Sequence, residues 1–401
     1  MKFRLLNLRV CAVLAISGLA AWTPSYVAAN TMEMDQGKYA ALKSYAEKRL
    51  RESKVPGFGL GIIKDGEVIF AGGFGTRDLN TGAPINSQTA YLIGSATKAF
   101  TTATTAMLDQ DGILSWDSPV RKYLPWFSFK DDEYVSSHVT LRDLASHRTG
   151  LVSTEWQGDT PELGLYSGEP REKLVKSIRN YALSAGLREK FQYNSAMFMT
   201  LGHVITKATK SQYEDVVMQR IMKPLGMENT IWSDLSGPNP PFAGNIAYPH
   251  AIKNGKARRI DFLFEGAAIR PSGTLTSTID DMLKWVKFHL QKGEYNGKRL
   301  LSEENHDALI TPNMVVGYNA SLSRTRTPAW PEMYGLGWFL GTYNGRRAVH
   351  HSGTSTGTIT RTLFMPDKNF AVVTFINAEN APHPLQNEIV LFAIDLYKDD
   401  L

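Results

Sequence analysis

The chain has 401 residues, 43% of them hydrophobic and 21% charged, which excludes a disordered polypeptide and leaves room for one large domain or two ordinary ones. The formal charge of +5 is not gathered into a basic block, which argues against a nucleic-acid partner.

The first 29 residues predict a cleaved secretory signal. Lys2, Arg4 and Arg9 open it, an apolar run follows from Val10 to Trp22, and Val27-Ala28-Ala29 offers a small-residue cleavage site before Asn30. The run is shorter than the roughly 20 residues that cross a bilayer, and no later stretch is long enough. Cleavage removes three positive charges and no negative ones, lowering the formal charge from +5 to +2. It also removes Cys11, the only cysteine, so a mature periplasmic or secreted chain is held by packing and not by disulfides.

A helix is expected over 36–53, where Tyr39, Leu42, Tyr45 and Leu50 lie close to one face. Strands follow at Gly57–Lys64 and Glu67–Phe74, joined by the hairpin pair Asp65-Gly66. A helix then runs from Ser95 to Gln110, with Gly112 as its stop. Further helices are expected at 140–146, 171–185, 195–208, 211–223 and 279–291. Strands return at Gly337–Tyr343, Arg347–Gly353, Thr360–Met365 and Phe370–Ile376, before a last helix from Leu385 to Tyr397. The expected architecture is α/β in the α+β sense. One antiparallel sheet is flanked by the terminal helices, with a large all-helical insertion on its other face. After the signal the chain reads as one domain, 30–401. Its sheet lobe takes 30–90 and 331–401, and its helical lobe takes 91–330.

Three short motifs carry candidate chemistry. Ser95 and Lys98 are neighbours on one face of a helix start, where the dipole favours an alkoxide and a lysine supplies a base or a cation. Tyr193 leads Tyr193-Asn194-Ser195. Lowering its phenol from near 10 to 7 takes about 4 kcal/mol, which a partly buried Lys98 supplies in part. Taken alone, Tyr193 fits a core tyrosine better. His351-Ser352-Gly353-Thr354 ends a strand, so His351 and Gly353 share a face and His350 points away. Gly353 there suits close approach of a substrate backbone. The opposed directions of His350 and His351 argue against one shared metal ion, and no cofactor is expected. Asp143 and His147, one helical turn apart, read as a structural pair.

The order Ser-x-x-Lys, Tyr-x-Ser about a hundred residues on, then His-Ser-Gly near the C-terminus resembles the serine β-lactamase and penicillin-binding family. It is most similar to the branch with class C β-lactamases, D-Ala-D-Ala carboxypeptidases, D-aminopeptidases and related esterases. Tyr91–Gly94, Asp117–Val120, Lys122–Pro125, Leu144–Leu151, Pro271–Leu275 and Phe364–Asn377 also resemble it, so the likeness runs from about residue 38 to 397. The resemblance implies that Ser95 attacks a carbonyl and that Lys98 and Tyr193 handle its proton. It implies an oxyanion hole from the N–H groups of Ser95 and Thr354, with His351, Ser195, Ser352 and Gly353 along the substrate. Two departures stand out: Ser195 replaces an asparagine and His351 replaces a lysine. Both point to a peptidase or esterase acting on a small molecule or peptide. A β-lactamase, or a penicillin-binding sensor or scaffold without turnover, are the alternatives. Trp156, Tyr166, Phe264, Tyr318 and Trp330 are candidates for an acyl pocket, and Arg361 for a substrate carboxylate.

Overall fold

The computed structural model describes residues 34–152, 168–232, 235, 241–263, 266–317, 332–343, 345–381 and 385–400. The signal segment and the five acyl-pocket aromatics lie outside the described residues.

The hairpin Gly57–Lys64 and Glu67–Gly75 forms where Asp65-Gly66 predicts it, with φ of 53° and 81° at the turn. It does not stand alone. Phe58 pairs with Ile376 and Ile63 with Ala371, so the first strand of the chain closes onto the last one. The result is one eight-stranded antiparallel sheet. From one edge it runs Met314–Gly317, Glu332–Tyr334, Phe339–Tyr343, Arg346–Ser355, Thr358–Met365, Phe370–Ile376, Gly57–Lys64 and Glu67–Gly75.

Strand alternation sends side chains to two cores. On one face Leu60, Ile62, Leu363 and Val372 pack with Leu42 and Ala46 of helix Gln36–Ser53, and with Ile389 and Val390 of helix Leu385–Asp395. On the other, Val349, Val373 and Phe375 join Phe100, Ile279, Leu283 and Trp285. Helix Ile279–Leu290 lies on this second face, and its Trp285 stacks on Phe100 of helix Thr97–Gln110 at 4.1 Å between ring centroids.

The middle of the chain is not all helical. Tyr91–Leu92, Leu275–Ser277 and Ile231–Trp232 form a three-stranded sheet, and His250–Lys253 pairs with Lys256–Arg259. Met314–Gly317, inside the expected helical lobe, is the edge strand of the main sheet. Runs of two to four residues are too short to show a period, so pairing across the fold decides them. The expected helix over 211–223 is also broken into Tyr213–Val217, a π-turn at Met218–Met222 and Lys223–Leu225.

Candidate active site

Ser95 sits in a tight 3₁₀ turn, Gly94–Ala96, and the α-helix begins at Thr97. The turn is pinned on both sides. Thr97 Oγ1 donates to the Gly94 carbonyl at 2.7 Å, Ile93 N–H to the Leu275 carbonyl at 2.8 Å, and Thr360 Oγ1 to the Ile93 carbonyl at 3.0 Å.

Lys98, one turn on, is fully buried. Its Nζ lies 3.1 Å from Ser95 Oγ, 3.1 Å from Ser195 Oγ and 2.8 Å from the Ser272 carbonyl. The carbonyl only accepts, so it fixes one N–H and aims the other two positions at the serines. The Tyr193 ring stands 4.8 Å from Nζ and the Phe198 ring 5.5 Å. Two of the motifs and the Ser272 carbonyl, all distant in sequence, therefore meet around one nitrogen.

Helix Ser195–Thr209 sets Tyr193 and Ser195. Asn194 caps it, its side chain accepting from Ala196 N–H at 2.9 Å. Asn194 N–H donates to His147 Nδ1 at 3.0 Å, which puts the His147 proton on Nε2. The His147 ring lies 4.3 Å from the Tyr193 ring. The expected Asp143–His147 pair does not form. Helix Leu141–Ala145 ends before His147, whose φ of 56° turns it out of register. Asp143 instead binds Arg148 at 2.6 Å and Arg188 at 2.9 Å. His147 thus supports the Tyr193–Asn194 segment and not Asp143, a partnership that spacing alone did not show.

The strand Arg346–Ser355 closes the other side. His351 and His350 do point apart. His351 Nδ1–H donates to the Ser352 carbonyl at 2.6 Å and Nε2 accepts from Tyr334 Oη at 3.1 Å, whereas His350 binds Glu332 at 2.7 Å. Burial first, then the Lys98 charge, pushes His351 down to about 3, so it is neutral. The Ser352 hydroxyl faces away from the cleft and accepts from Arg361 Nη1 at 2.7 Å. Arg361, buried behind the sheet, is not placed to meet a substrate carboxylate in the cleft.

Gly353 has a different use from the expected one. A Cβ there would sit 1.8 Å from the Ile93 carbonyl oxygen, so its bareness admits the chain's own backbone, not a substrate's. Gly94 answers it: at φ of 50° its missing Cβ would meet Thr354 N at 2.7 Å. The two glycines seat the Thr354 amide beside the Ser95 turn.

Ser95, Ser195 and Thr354 line one cleft of about 600 Å³ with Ser272, Gly273 and Thr274. Thr274 holds φ of 69°, a strained position for a β-branched residue. The Pro271–Leu275 segment had family likeness, but no property of its residues announced that the Ser272 carbonyl would hold Lys98.

The buried histidines carry a pH prediction. Burial, the first cause in each, pushes His350 and His306 down to about 4 and His351 to about 3. The unfolded chain titrates them near about 6.5 and binds protons that the folded chain refuses. Stability is full above that value and falls as pH drops toward 4, by up to about 1.4 kcal/mol per pH unit for each histidine. Melting midpoints should therefore drop between pH 7.5 and pH 5; equal midpoints would contradict this.

A serine held by a buried lysine at a helix start, against the strand of a large antiparallel sheet, is the arrangement of the β-lactamase and transpeptidase fold class. The chain belongs to the Beta-lactamase family, which it matches over residues 42–393. It is 28% identical to the unguisins hydrolase ungD' of Aspergillus campestris, over 85% of this chain and 62% of that protein. It is 25% identical to protein flp of Staphylococcus aureus, over 84% of this chain and 63% of that one. The chain thus spans about three-fifths of the length of these curated relatives. Its fold superposes on the octameric penicillin-binding protein homologue from Pyrococcus abyssi with a TM-score of 0.75 and 25% identity, covering 91% of this chain and 78% of that one.

Proposed function

We propose that this protein is an exported hydrolase that opens amide or ester bonds through an acyl-enzyme on Ser95, as a peptidase or esterase. The observation that carries the reading is the buried Lys98 Nζ at 3.1 Å from Ser95 Oγ. Packing alone does not require an ammonium-bearing side chain there, and burying one is costly. Ser95 Oγ attacks the substrate carbonyl while its proton passes to the Lys98–Tyr193 pair. The N–H groups of Ser95 and Thr354 hold the oxyanion. Collapse expels the amine or alcohol, which takes a proton from Tyr193. Water then cleaves the acyl ester, releasing the acid and restoring Ser95. A neutral His351 favours a peptidase or esterase over a β-lactamase.

The test is turnover by the purified protein of p-nitrophenyl esters, D-amino-acid amides, peptides and nitrocefin, with Ser95→Ala alongside. Ester or amide turnover lost in Ser95→Ala is expected. Fast, saturable nitrocefin hydrolysis would make it a β-lactamase, and Ser95 labelling by a fluorescent penicillin without release would make it a receptor. Export rests on the three-part N-terminus. Sequencing the chain recovered outside the cytoplasm should find Asn30 first.

A further inference from the structure

The charges around the cleft bear on which acyl groups it admits. A substrate carboxylate is held most strongly by a cation, and among the described residues the cationic side chains near the cleft are already engaged. His351 is buried and both its ring nitrogens are used: one donates to the Ser352 carbonyl and the other accepts from Tyr334. It has neither charge nor N–H left for a ligand. Arg361 lies behind the sheet, with Nη1 on Ser352 Oγ. Arg259, at the end of the neighbouring hairpin, turns to Asp78 at 3.0 Å and stacks on Tyr248. Lys98 is sealed beneath Ser95 by its contacts to Ser195 and Ser272.

The rim points the same way. Among the described residues lining the cleft, the ionisable side chains are Asp261 and Glu379. Glu379 is half-buried and accepts from Gly357 N–H at 3.0 Å, which fixes its carboxylate at the wall, and Asp261 is exposed at the mouth. A cleft bearing one sign of charge between low-dielectric walls concentrates ligands of the opposite sign and repels its own.

We infer that this cleft selects acyl groups without a free carboxylate, neutral or cationic, and discriminates against anionic ones. The inference rests on the reading of Ser95 as the acylated residue.

The test uses p-nitrophenyl esters of three acyl chains of equal length, ended by trimethylammonium, tert-butyl and carboxylate. Values of kcat/KM should place the ammonium ester at or above the tert-butyl ester, and the carboxylate ester about tenfold or more below it. Raising the salt to 1 M should shrink that gap, as screening shortens the reach of the rim charges. Asp261→Asn should narrow it, and Asp261→Lys should favour the carboxylate ester further. A carboxylate ester cleaved as fast as the tert-butyl ester overturns the charge inference and leaves the hydrolase reading standing. No turnover of any ester, together with no labelling of Ser95 by a fluorophosphonate, overturns both.

Discussion

Replacing Lys98 with methionine is expected to lower kcat by about a thousandfold, because it removes the group poised to handle the Ser95 proton. Methionine nearly matches the lysine stem in volume, so the buried slot stays filled. Stability should move little. The lost hydrogen bonds at Ser195 and the Ser272 carbonyl cost about 1–3 kcal/mol. Removing the desolvation cost of a buried ammonium offsets part of that. The check pairs steady-state kinetics with a thermal melt and with the rate of fluorophosphonate labelling. An inactive protein with a near-native melt is the expected result. A Lys98→Met variant that keeps its kcat would falsify the proton-handling role.

Gly353→Ala should damage both stability and chemistry. The new methyl would lie 1.8 Å from the Ile93 carbonyl oxygen and 2.6 Å from Thr360 Oγ1. Neither atom is the end of a flexible side chain, and Thr360 Oγ1 already donates to that carbonyl. The strand must back away from the Ser95 turn and carry the Thr354 amide with it. We expect a loss of about 3 kcal/mol of stability from overpacking. We also expect a fall in kcat of about a hundredfold or more from the displaced oxyanion donor. Gly168→Ala is the comparison, since a Cβ there meets nothing within 4 Å. Melts and kcat for the two variants decide it: if they behave alike, the seam between Gly94 and Gly353 has no role in the site.

The two predictions draw on different kinds of information. Ser95 and Lys98 are three residues apart, and helical geometry alone brings them to one face. The same locality made other features legible in the chain. Asp65-Gly66 dictates the hairpin, alternation separates His351 from His350, and the period over 36–53 gives its helix. These depend on dihedral preferences and side-chain direction, which neighbours in sequence fix.

The seam, the lysine's third partner and the roles of the glycines were not legible. Ser272 is 174 positions from Lys98, and Thr360 is 267 from Ile93. No local pattern marks which carbonyl will accept or which backbone will abut a glycine. The same holds for His147, which belongs to Asn194 and not to Asp143, and for Ser352, whose hydroxyl serves Arg361. The sequence by itself determined the Ser95–Lys98 pairing, the first hairpin and the terminal helices, because periodicity and short spacing are local, whereas Tyr193 was marked only by the family resemblance. Only the tertiary structure decided what surrounds them, because closing the sheet and docking the middle segment onto it brings together groups whose separation along the chain carries no signal.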